Sequence, residues 1–268
     1  MQHALAGLAA IMLLGAAQGG GDVSVLTLRS ADRIIDRAFM TELAGDFEGA
    51  RAALRERIKQ ASLPEEEPGR LKLVGWMRGL NARAEAYARL GRTVQGYAQA
   101  FETLRGQGSE RSELLWQRAV RDVPELQGEF EKLARVHLRM ERVVGLARSD
   151  SGWSAHLAQR LHQYGVEAAP SDAPSRYEVR VYLDAADAAE LMGRTRVTVE
   201  SSYVLRTVQA HALEQDERVV GTFSKRRAVT RPTEDAARRF GVRRVMDDLG
   251  WALVHQIRED VLRDLAAP

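Results

Sequence analysis

The stretch Tyr177-Glu178-Val179-Arg180-Val181-Tyr182-Leu183 alternates strictly. A period of two satisfies only a strand with one buried face, here the face of Tyr177, Val179, Val181 and Leu183. Between Ser30 and about Leu126 the pattern is instead helical, with alanine, leucine, arginine and glutamate dominating between turn signals. A chain carrying both grammars is α+β, and 268 residues suffice for two domains. The expected division falls between a helical region over residues 30–126 and an α/β domain over residues 135–265.

Within the first region, Ala38, Gly45, Phe47 and Ala50 stand at the offsets of a tetratricopeptide-like hairpin, with Gly45-Asp46 closing the first helix. Ala84, Tyr87 and Gly91 repeat the signal, followed by the small residues Gly96 and Ala100. The two glycines lie 46 residues apart rather than about 34. The segment PEEEP from Pro64 to Pro68 supplies the extra length as a solvated loop. These positions loosely resemble tetratricopeptide repeats, and generic antiparallel helices fit them equally.

In the second region, 196–212 and 218–230 are rich in β-branched and aromatic residues and flank the polar Glu214-Gln215-Asp216-Glu217 turn, which reads as a hairpin. A helix over 153–164 ends at Gly165. A terminal helix starts near Thr233, its Val242, Met246, Leu249, Leu253, Ile257 and Val261 forming one apolar stripe. Residues 136–144 fit two periods, a strand (Val136, Leu138, Met140) or a helix (Leu133, Val136, Met140, Val143, Ala147). The strand completes the order β-α-β-β-β-α, two helices on a four-stranded sheet with each helix covering one face.

That order, carried by LAQRLHQYGVEAAP, YEVRVYL, two long strands and RRVMDDLGWALVHQIREDVL, resembles the lipopolysaccharide-assembly lipoproteins. Modules of curli secretion and auxiliary subunits of lipid transporters share a similar order. The resemblance spans roughly residues 135–265 and implies an envelope protein that helps assemble an outer-membrane translocon. The lipobox cysteine of that family is absent here, and the helical N-terminal half of this chain is foreign to that family.

The compartment follows from the other end. Ala4 to Ala17 is an apolar run without a charge, too short to span a bilayer and suited to a signal peptide over residues 1–17, with Gly15 and Ala17 as the small residues before a cleavage site. The n-region Met1-Gln2-His3 lacks a cation, so a retained anchor is the alternative. Export to the periplasm, with association to the outer membrane, is expected. The chain has no cysteine, which excludes disulfides, thiolate metal sites and lipid attachment at an N-terminal cysteine.

Motifs of catalysis are missing. The six histidines, His3, His137, His156, His162, His211 and His255, show no metal-ligand spacing, and His255-Glu259 lacks the second histidine of a zinc-protease motif. No G-x-S-x-G frames Ser201 or Ser202, and Gly19-Gly20-Gly21 has no following lysine. Asp247 and Asp248, adjacent on a helix, cannot face each other. No enzyme activity, cofactor or metal is expected.

The remaining feature is basic. Lys225, Arg226, Arg227 and Arg231, then Arg238, Arg239, Arg243 and Arg244, place eight cations within twenty residues. Arginine suits phosphate through its planar fork, and in an exported protein the anions on offer are lipid or lipopolysaccharide phosphates rather than nucleic acid. The competing reading is a solvated face neutralised by Glu234, Asp235, Asp247 and Asp248. Two functions follow as expectations: an envelope-assembly or lipid/lipopolysaccharide-transport accessory docking through its α/β domain, or a helical scaffold gripping a partner of an envelope complex. Mass spectrometry of the native protein should find an N-terminus near Gln18; an intact Met1 in a cytosolic fraction would defeat export.

Overall fold

The computed structural model describes residues 28–60, 67–105, 109–144, 150–170, 173–208 and 218–267. The segment 1–17, most of the PEEEP loop, the turn 214–217 and His3 and His211 lie outside the described residues. Two compact units divide between Arg78 and Gly79, not near residues 128–135 where the change of pattern puts the boundary.

The first unit contains α1 (Leu28–Leu43), α2 (Phe47–Gln60) and the start of α3 (Pro68–Leu90). Ala31, Ile35, Ala38 and Phe39 form the buried stripe of α1, spaced by three and four as an amphipathic helix requires. Gly45 closes α1 with a positive φ of 99°, and the Asp46 carboxylate then accepts the Gly49 N–H at 2.7 Å to start α2. Phe39 meets Trp76 edge-on at 5.6 Å, and Lys72 donates to Asp32 at 2.7 Å.

In the second unit, the end of α3 is followed by α4 (Val94–Glu102), α5 (Ser109–Asp122), α6 (Leu126–Leu133), β1 (Arg135–Val144), α7 (Asp150–His162), β2 (Glu167–Ala168), β3 (Tyr177–Leu191), β4 (Arg194–Thr207), β5 (Val219–Arg231) and α8 (Glu234–Leu265). Residues 135–144 are a strand, the period-two alternative. The sheet has five strands in the order β2-β1-β3-β4-β5, not four. The extra strand is β2, two residues parallel to β1. β1 also runs parallel to β3, and the rest is antiparallel.

Tyr177, Val179, Val181 and Leu183 are buried, as are Val197, Val199, Tyr203 and Leu205 on β4. α8 covers this face along β3, β4 and β5, while α7 lies on β1 and β2 and touches α8. Both helices therefore share one face, a correction to the expectation that each takes its own. The reason is chemical: the opposite face carries Glu178, Arg180, Arg139, Glu141, Arg142 and Asp184, joined in ion pairs such as Arg139–Glu178 at 3.3 Å. Burying these charges under a helix would cost more than it returned.

α8 begins at Thr233, whose hydroxyl accepts the Ala236 N–H, and all six residues of the expected stripe are buried. Val245, Val254, Arg258, Glu259 and Leu262 are buried too, because α4, α5 and α6 pack on α8. Residues 94–133 thus turn their apolar faces, among them Phe101, Trp116 and Phe130, to the terminal helix. The unit is layered sheet, helix, helix.

Close approach of α8 to the sheet depends on Gly241, where an added Cβ would sit 2.7 Å from Val199 Cγ2. Gly241→Ala should lower stability by about 1–2 kcal/mol, overpacking outweighing the helix propensity gained. At Gly250 the nearest atom is Arg160 Cγ at 3.2 Å, on a flexible side chain. Thermal melts should show a lower Tm for Gly241→Ala and little change for Gly250→Ala.

Candidate functional site: a cleft between strand β5 and helix α8

A cleft of about 580 Å³ opens beside the first half of β5, against α8 and the α4–α5 region. Asp248, Ala252, His255, Glu259 and Arg263 line it from α8, steps of three and four that put them on one face of the helix. Phe223 on β5, Trp251 on α8 and Leu104 after α4 supply apolar surface. At Gly221 an added Cβ would fall 2.2 Å from Gln256 Oε1, so the end of that side chain would have to move; Gln256 lies along the strand and donates to the Thr222 carbonyl at 3.3 Å.

The charges at the floor are engaged. Glu259, only 4% exposed, accepts from Arg105 Nε at 2.8 Å and from Arg263 at 2.8 Å. The Glu259 hydrogen bond holds the Arg105 guanidinium above its usual range. Asp260 accepts from the Tyr177 hydroxyl at 3.0 Å and from Arg218. Burial, then the Asp260 charge, push the Tyr177 phenol far up, so it donates at any ordinary pH.

His255 stacks on Phe101 with ring centroids 5.6 Å apart. Neither ring nitrogen has a hydrogen-bond partner among the described residues, and the Glu259 carboxylate is 4.0 Å away. Burial pushes the imidazole down to about 4, with Glu259 opposing and Arg258 and Arg105 adding to the shift. Sequence spacing singled out His255-Glu259 only as an incomplete zinc motif. Phe223, Trp251, Gln256 and Arg105 carried no signal, because they meet only through long-range packing.

The eight cations of the basic strip are not presented together. Lys225 and Arg227 alternate with Arg226 along β5, so Arg226 points to the opposite face of the sheet. Arg227 forms a two-pronged pair with Asp248 at 2.5 and 2.9 Å. Arg238 pairs with Glu234 at 2.6 Å and Arg239 with Asp235. Arg231 lies 3.8 Å over the Phe240 ring, with Arg244 at 5.2 Å from the same ring. Arg243 is exposed on the next turn. Asp247 faces His156 and Arg160 at 3.6 and 3.3 Å. His137 meets the Ala173 carbonyl at 2.7 Å. Among the described residues no group of three or more His, Asp or Glu side chains could hold a metal ion, and no helix is long and apolar enough to cross a membrane.

No family model matches the chain, and no curated protein matches it in sequence. Among solved structures it is similar to a Xanthomonas campestris protein of family DUF330, at 11% identity and TM-score 0.38 over 48% of this chain and 87% of that one. It is also similar to the PelC dodecamer subunit of Paraburkholderia phytofirmans, at 14% identity and TM-score 0.31 over 47% of this chain and 88% of that one.

The neutral burial of His255 sets a pH dependence. The unfolded chain, with an ordinary imidazole, binds a proton that the folded chain refuses, so stability is full above about pH 6.5 and falls as pH drops toward about 4. The upper bound is about 3 kcal/mol. In denaturant titrations, His255→Leu should flatten the slope across that window; an unchanged slope would remove His255 as its source.

Proposed function

We propose that this chain is a non-enzymatic accessory of the bacterial envelope, working in the periplasm, whose second unit receives an extended segment of a partner protein along β5. The observation that carries this reading is the edge of the sheet. β5 is thirteen residues long and stands last in the strand order, with the cleft beside it. An edge strand presents a row of backbone donors and acceptors, and an added strand gains affinity from those and specificity from side-chain pockets. Phe223, Trp251 and Leu104 would take apolar side chains of the guest.

The chemistry of β5 favours a different chain over a second copy. Lys225, Arg226 and Arg227 are consecutive and exposed, and two-fold pairing of β5 on itself would set like charges opposite each other. An acidic residue in the guest, near Lys225, is the complement. Catalysis is not proposed, because the carboxylate nearest His255 is already held by two arginines and no cofactor is needed for docking. The apolar run Ala4 to Ala17 supports the compartment. Envelope assembly or lipopolysaccharide transport is the partner class, taken from the resemblance of residues 135–265. Ala38, Gly45 and Ala50 in the first unit are proposed as a tetratricopeptide-like hairpin offering a second contact.

A photo-crosslinking residue at Phe223, on the cleft face of β5, should capture a partner in intact envelopes that the same residue at Tyr182, on the opposite face of the sheet, does not. Ala252→Phe, which fills the cleft from α8, should abolish that capture without lowering Tm. Equal capture from both positions, or capture unaffected by Ala252→Phe, would reject the reading.

A further inference from the structure

The turn joining β3 to β4 is an outlier in two respects. Leu191 pairs with Arg194, leaving Met192 and Gly193 as a two-residue loop, and both have positive φ, 50° and 71°. Such a loop favours asparagine or aspartate before glycine, and a methionine there is held at a steric cost. That methionine is also 97% exposed, beside Leu191 at 49%. Neither strain nor exposed apolar surface helps this domain fold, and an outlier of this kind is a pointer to function.

The surroundings of the tip share one chemistry. Arg194 and Arg196 are exposed on β4. Thr195 pairs with Arg231 at the end of β5, and Arg231 lies on Phe240, a ring 36% exposed and also approached by Arg244. None of these four arginines has a carboxylate partner among the described residues, in contrast to Arg227, Arg238 and Arg239. The acidic neighbours are Glu190, one residue before the tip, and Glu234 and Asp235 in the first turn of α8, which are taken up by Arg238 and Arg239. The surface is convex and apolar at its point, with a cationic surround.

We propose that this end of the second unit, with Met192, Leu191 and Phe240 amid Arg194, Arg196, Arg231 and Arg244, docks on an anionic lipid surface. The two tip side chains enter the headgroup layer, and the guanidinium groups meet lipid phosphates. A projecting tip has no concavity for a small solute, and arginines around an apolar point match a layer that is charged outside and apolar beneath. The source of the lipid rests on the envelope reading above; the contact itself is independent of the cleft, which uses the later turns of α8.

The chain contains no cysteine, so Met192→Cys introduces a single thiol for an environment-sensitive nitrobenzoxadiazole label, with Tyr182→Cys as the control on the sheet face. The full-length protein is mixed with vesicles of equal phosphatidylglycerol and phosphatidylcholine, or of phosphatidylcholine alone. The label at 192 should brighten and shift to the blue on the anionic vesicles only, and the label at 182 should not. Arg194→Gln/Arg196→Gln/Arg244→Gln should weaken partitioning at least tenfold, and raised salt should do the same. A silent label at 192, including when the protein sediments with vesicles, overturns the proposal, as does an equal response to neutral vesicles or from position 182. Failure here leaves the envelope reading intact, whereas a cytosolic protein that responds to vesicles would reject that reading alone.

Discussion

Three consecutive charged residues of α8, Arg258, Glu259 and Asp260, are each less than 5% exposed. Successive residues of a helix point about 100° apart, so three buried charges in a row require protein on nearly every side of the helix. Arg258 reaches Glu113 on α5 at 2.6 Å and lies 4.7 Å over Trp116, Glu259 holds Arg105 beyond α4, and Asp260 holds Tyr177 and Arg218 at the sheet. Burial pulls the Arg258 guanidinium below its usual range, and Glu113 opposes that pull. A buried charge deprived of its partner costs several kcal/mol, so sheet, α5 and the end of α4 are each bound to the same turn of α8. The cleft exists because α8 is walled on one side by β5 and on another by the α4–α5 region.

What was legible in the sequence was periodic. The alternation of Tyr177 to Leu183 gave the buried face of β3, the spacing of Val242 to Val261 gave the sheet-facing stripe of α8, and Gly165 marked the end beyond α7 with a φ of 77°. β2 was invisible because two residues have no period. The second buried side of α8 was hidden because Arg258, Glu259 and Asp260 read as solvent-facing charges until their partners, up to 154 residues away, are known. The same blindness misplaced the boundary: residues 94–133 are helical like those before them, yet their apolar faces belong to α8.

The candidate site shows the limit more sharply. Arg238–Glu234 and Arg239–Asp235 are spaced by four on one helix, so their mutual neutralisation was readable from the chain. Arg227–Asp248, across β5 and α8, was not. Pairing divides the eight clustered cations: Arg227, Arg238 and Arg239 are engaged with carboxylates, whereas Lys225, Arg231, Arg243 and Arg244 have no carboxylate partner among the described residues. Arg194 and Arg196 join them only because antiparallel register brings β4 beside the end of β5.

Everything α8 holds precedes it in the chain, and this has a kinetic consequence. Contacts such as Arg105 to Glu259 give the second unit high contact order, which slows folding because long loops must close before the contact is made. A chain emerging from its N-terminus would complete β1 to β5 and α4 to α6 while the helix that covers both was still missing. Until then the apolar row of Val179, Val181, Tyr203 and Leu205 and the faces of Phe101 and Trp116 stand open to water, a state prone to aggregation. Unit two therefore closes last-in, and a holding chaperone that masks apolar surface would have its longest opportunity just before α8 arrives.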